Sequence, residues 1–223
     1  MTGMRSSGVG AVGLAAMLVM GLLMACVAHA GEAEKRERRL GEAAAEREQY
    51  VSELVLFNAK QIALGELALQ RSKDPKVRQF AKQLVEDHRK NLSDLRTWAD
   101  GEALQLAAVD LSSQSEAQGT GGSGGAGIQE GYEERMVGVD KDLDEDILDA
   151  QEDLDDVRAQ EGKDFDKAFM SRVVDDQEDG QELVKDGLNE YRADVDFGLL
   201  LNRTGNLVDR QVERGKKVAE AIE

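Results

Sequence analysis

Cysteine, proline, histidine and aromatic side chains are nearly missing from this 223-residue chain. Cys26 is the single cysteine, so no disulfide within the chain contributes to its stability. Histidine occurs only at His29 and His88, which leaves a Ser-His-Asp or Cys-His centre little to be built from. Basic residues are also short, 28 against 45 acidic ones, for a net charge of −17. An excess this acidic repels phosphates, excluding nucleic acid as a partner and arguing against electrostatic docking on anionic lipid. With one proline (Pro75) and 4% aromatic residues, the chain is dominated by Ala, Leu, Glu, Asp, Gln and Arg. That is the composition of an all-helical protein.

The first 30 residues have a different character. Arg5 is their only charged side chain, residues 11–28 are almost wholly apolar, and Ala28-His29-Ala30 offers a small-x-small cleavage site. This is the layout of a secretory signal peptide over residues 1–30; the apolar run is at the short end for a membrane span. A second processing route is written in Leu23-Met24-Ala25-Cys26, which resembles a bacterial lipobox. By that route residues 1–25 are removed and Cys26 carries a lipid. Both routes put the protein across the inner membrane, in the periplasm or at the outer membrane. Its membrane contact is then confined to the signal peptide or to a lipid on Cys26.

Residues 31–48 are charged and poor in large apolar groups, and read as a tether that turns helical toward its end. A single domain over residues 49–222 follows. Val51, Leu54, Val55, Ile62 and Leu69 make one helix face over about Gln49 to Arg71. Asp74-Pro75 marks the next start, with aspartate as N-cap and proline at the first helical position. The short link before it implies an antiparallel pair. Further amphipathic stretches predict helices at about 75–100, 164–191 and 194–222.

Between the second and third of these lies a predicted flexible acidic insertion, residues 102–160, whose Gly119–Gly127 segment is a linker by composition. From Glu130 to Gln160 it carries 13 acidic residues against Arg135, Lys141 and Arg158. Leu143, Ile147, Ala150, Leu154 and Val157 nevertheless recur at helical spacing, predicting an additional acidic helix with one narrow apolar seam. The fold expected is therefore an all-α antiparallel four-helix bundle with an extra helix in the connection between its two helix pairs.

Each of the four main stripes is interrupted near its middle by polar residues: Asn58 and Gln61, Asp87 with His88, Asp176 with Gln177, and Thr204 with Gln211. Such residues on an apolar face are costly unless paired. Stacked in a bundle they predict one buried polar layer, with His88 bonded to Asp176 or to a glutamine across the bundle. A short repeat supports the stacking: Phe80 to His88 aligns without gaps on Phe169 to Gln177. Helical bundles build metal sites from carboxylates and histidines at such a level. Here amides stand where charged ligands would be needed, and Asp87, His88 and Asp176 are the remaining candidates. The expectation is a hydrogen-bonded layer that fixes helix register, with no cofactor. The alternative is a site for iron or zinc.

Several motifs resemble a known family. Asn58-x-x-x-Ile62-x-Leu64-Gly65-x-Leu67-Ala68, Val77-x-x-Phe80-Ala81-x-x-Leu84-Val85-x-Asp87-His88 and Gly162-x-x-Phe165-Asp166-x-x-Phe169-Met170 are similar to those of domain-of-unknown-function family 4142. The resemblance spans about residues 49–101 and 150–222. It implies a secreted bacterial protein with a ferritin-like helical bundle, of a kind often labelled an outer-membrane protein. It also implies a Glu at the position of Gln61, an Asp-His at Asp176-Gln177 and a His near Gln211. Of these pairs only Asp87-His88 keeps the family pattern. The function expected is that of a non-catalytic extracytoplasmic bundle, an envelope or stress-associated protein that interacts with a protein partner. The alternative reading is a ferritin-like metal binder or oxidoreductase with a degenerate site.

Overall fold

Three tight breaks and one long connection divide the chain into α1 (Ala11–Arg71), α2 (Pro75–Gly101), α3 (Ala126–Arg158), α4 (Gly162–Glu190) and α5 (Val195–Ile222). The computed structural model describes residues 11–102, 104, 111 and 126–222, with side chains placed at 32, 34–102, 104, 111 and 141–222. No strand occurs among the described residues. The protein is all-helical.

The breaks follow local chemistry. Asp74 caps α2, its Oδ1 accepting from the backbone N–H of Lys76 at 2.7 Å and of Val77 at 3.3 Å, with Pro75 following where its missing N–H costs nothing. Asp194 does the same for α5, accepting from Phe197 N–H at 3.0 Å. The α3–α4 corner turns at Gly162, whose φ of +58° is strained for any residue with a Cβ.

α1 packs against α2 and α4, and α5 closes the ring by packing against the same two helices. Every neighbouring pair in the ring is antiparallel. α3 lies outside it, against α1 and α4, and runs parallel to α1: Lys60 meets Asp153, and Arg71 reaches the carbonyls of Arg158 and Gln160.

Two segments outside the four main stripes are helical as well. Residues 31–48, which by composition read as a tether turning helical toward its end, are part of α1, and Gly41, Ala45 and Glu48 are buried. The segment is made of strong helix formers, with Arg38 and Glu42 paired one turn apart. Residues 126–158 form α3, where the sequence predicts an additional acidic helix within the insertion. Its seam is buried at Ala150, Leu154 and Val157 and half-buried at Leu143 and Ile147, so an acidic helix is held by a stripe one residue wide. Most of Gly119–Gly127 lies outside the described residues.

Two apolar clusters occupy the two ends of the interior. Leu64, Ala68, Phe80, Leu84, Phe165, Phe169 and Val173 fill the end nearest the α1–α2 turn. Val51, Leu54, Leu95, Val184, Phe197 and Leu201 fill the other, where Trp98 stacks on Phe197 with ring centroids 4.1 Å apart. Each large side chain in them contributes about 1.5–3 kcal/mol by leaving water. The level between the clusters is polar.

Candidate functional site

Asn58 and Gln61 enter that level from α1, His88 and Asn91 from α2, Asp176 and Gln177 from α4, and Thr204 and Gln211 from α5; all are buried. They sit there because each occupies a core-facing position of its helix, flanked one turn away by apolar residues such as Leu84 and Leu95 on α2.

The groups form a chain of hydrogen bonds that crosses the interior. Thr204 Oγ1 donates to Asn91 Oδ1 at 2.9 Å, and Asn91 Nδ2 donates to Asn58 Oδ1 at 3.1 Å. His88 Nδ1 is 3.0 Å from the same Asn58 oxygen. On the far side of the ring, His88 Nε2 lies 2.9 Å from Gln177 Nε2, which also donates to Gln61 Oε1 at 3.0 Å. Gln61 Nε2 donates to Asp176 Oδ2 at 2.9 Å. The other Asp176 oxygen accepts from Lys60 Nζ at 2.8 Å, and Lys60 continues to Asp153 of α3 at 2.6 Å. Arg172 completes the outer end, 2.8 Å from Asp153.

This chain has a direction. An ionised Asp176 only accepts, so Gln61 must turn its NH2 toward it and its oxygen toward Gln177. Gln177 must then present its NH2 to both Gln61 and His88. His88 Nε2 is thereby an acceptor, and its proton sits on Nδ1, facing Asn58 Oδ1. Asn58 is held in that orientation by a 2.7 Å bond from its Nδ2 to the Leu54 carbonyl. One carboxylate thus sets a histidine tautomer through two amides.

Burial works in the same sense: it lowers the His88 pKa from 6.5 to about 3, keeping the ring neutral. Phe57 packs edge-on against the imidazole at 5.3 Å between centroids. Burial raises the Asp176 pKa, opposed by Lys60, by the Gln61 bond and by Arg172.

The layer brings together Asn58, Gln61, His88, Asp176 and Gln177. His88 does not meet Asp176 directly; two glutamine amides stand between them. Asp87 and Gln211 form a separate pair at the α2–α5 seam, Gln211 Nε2 donating to Asp87 Oδ2 at 2.7 Å while Gln83 donates to Asp87 Oδ1 at 3.2 Å. The three metal-ligand candidates Asp87, His88 and Asp176 therefore do not converge, and among the described residues no three or more His, Cys, Asp or Glu side chains do. Both His88 nitrogens are engaged by neutral amides, and an ammonium group faces Asp176. This donor set does not fit iron or zinc. The Cys26 side chain lies outside the described ones, and no helix among the described residues is long and apolar enough to cross a membrane.

Sequence reasoning missed Asn91, Lys60, Asp153 and Arg172. Asn91 was legible, since it falls between His88 and Leu95 on the same stripe. The other three are ordinary charged residues on helix faces, and only the seating of α3 makes them the outer end of the chain.

A family model described as "Domain of unknown function (DUF4142)" matches residues 32–147, just over half of the chain. The match takes in α2 and the part of α1 that packs in the ring and ends within α3, so the motifs on α4 lie beyond it. No curated protein and no solved structure matches the chain.

Proposed function

This chain belongs to the DUF4142 family, and on that premise we propose that it is a non-catalytic helical-bundle protein of the extracytoplasmic space. Its polar layer serves to fix helix register rather than to bind metal. The observation that carries this reading is the engagement of His88, whose two ring nitrogens are both taken up by buried amides, at 3.0 Å and 2.9 Å. A histidine so placed has no lone pair or proton to offer a substrate. Replacing any member of the layer by an apolar residue strands its partners, so the layer penalises every alternative stacking of the four helices.

The closed ring of α1, α2, α5 and α4, with two helix hairpins and a long connection between them, supports a ferritin-like arrangement. Export is supported by the apolar run at residues 11–28 and by the two processing sequences that end it, at Cys26 and Ala30. The acidic surface directs the protein toward a protein partner in the envelope rather than nucleic acid. Metal analysis of the protein purified from its native envelope tests the reading. Metal well below one atom per chain is expected; one iron or zinc per chain, lost on His88→Ala, would overturn it.

A further inference from the structure

We propose that the interior contains a binding site for one water molecule between α4 and α5, formed by the side-chain oxygens of Gln177 and Gln211. Both side chains are almost fully enclosed, at 0% and 1% exposure. Both amide oxygens are buried, and among the described residues no group donates to either.

Neither amide can relieve this by turning round. Gln177 needs its NH2 for Gln61 Oε1 and His88 Nε2 at once, and that demand is transmitted from the Asp176 carboxylate. Gln211 needs its NH2 for Asp87 Oδ2, where an amide oxygen would be repelled. Each oxygen is thus pinned as an acceptor in a place bulk water does not reach.

The two acceptors lie at one level. His88, which holds Gln177, and Asp87, which holds Gln211, are consecutive residues of α2. α4 and α5 run antiparallel, and the contacts of Gly205 with Val184 and of Gly215 with Val174 bracket Gln177 and Gln211 along them. The two amide oxygens therefore address the same section of the interior.

Two unpartnered acceptors at one level of the interior call for a small uncharged donor with two hydrogens. Water meets that description, and buried waters typically satisfy polar groups of this kind. A bound cation is disfavoured, because two amide oxygens fall far short of the six or more that a hard cation takes up. The nearby carboxylates are also already matched, Asp87 by Gln83 and Gln211, and Asp176 by Lys60 and Gln61.

A crystal structure of the purified chain at a resolution that orders internal solvent, with a second crystal soaked in rubidium, tests the site. One peak within hydrogen-bonding distance of both oxygens, without anomalous signal after the soak, is expected. No peak, a rubidium signal, or a protein donor on either oxygen would overturn the proposal. In solution, oxygen-17 relaxation dispersion should count one fewer long-lived internal water in Gln211→Met than in the wild type, with unchanged helical circular dichroism. Equal counts in two folded chains would also overturn it. The crystallographic arm uses no variant, so a Gln211→Met chain that fails to fold leaves the test intact.

Discussion

Exchanging His88 for glutamine should change how stability depends on pH more than it changes stability itself. The imidazole offers an N–H to Asn58 Oδ1 and a lone pair to Gln177 Nε2. A glutamine amide in the same place offers an N–H and a carbonyl oxygen with similar spacing, so at pH 8 His88→Gln should cost no more than about 1 kcal/mol. His88→Ala strands a Gln177 N–H and opens a cavity, for a loss of about 2–4 kcal/mol.

Acid separates wild type from His88→Gln. In the folded protein the His88 pKa is lowered to about 3, against 6.5 in the unfolded chain. Below pH 6.5 the unfolded state therefore binds a proton that the folded state refuses, and folding stability falls as pH falls. The slope approaches about 1.4 kcal/mol per pH unit, which makes about 2 kcal/mol by pH 5. Glu53, Asp146 and Asp176 have raised pKa values and act in the opposite sense, but they act in both chains and drop out of the difference. Urea denaturation followed by circular dichroism at pH 8, 7, 6 and 5 should show His88→Gln overtaking the wild type on acidification. A stability difference that stays constant from pH 8 to pH 5 would refute the buried neutral imidazole.

Lys60→Met removes the ammonium partner of Asp176, whose side chain is 5% exposed, and should cost about 2–4 kcal/mol at pH 7, toward the low end for a broken buried pair because Arg172 stays nearby. Losing that cation raises the Asp176 pKa further, so the deficit should shrink on acidification; thermal melts at pH 7 and pH 5 check both sign and trend. Gly187→Ala would set a Cβ 1.9 Å from the Tyr50 hydroxyl oxygen, which donates to the Leu183 carbonyl at 3.0 Å. Tyr50 must move and give up that bond, and chemical denaturation should register a loss of about 1–3 kcal/mol. Mass spectrometry of the exported protein should find an N-terminus at lipidated Cys26 or at Gly31; an intact Met1 in envelope fractions would refute export with cleavage.

Composition and periodicity by themselves determined the helical class, the α1–α2 turn at Asp74-Pro75 and the core faces. They also determined that polar residues such as His88 and Gln177 would be shut into those faces. These are local properties: a residue's place on a helix depends on its spacing from neighbours a turn away. Even the seam of α3 was legible, because Ala150, Leu154 and Val157 repeat at that spacing.

What the residues of the layer bind to was not legible, since hydrogen-bond partners are set by how the helices stack and by which way each amide is turned. Only the tertiary structure put Gln61 and Gln177 between His88 and Asp176, and only the seating of α3 brought Asp153 to Lys60. Residues 31–48 show the same division from the other side. Their charge predicted a tether, but the long α1 carries them on as helix and buries Ala45, because packing supplies the stability that a charged segment lacks when alone.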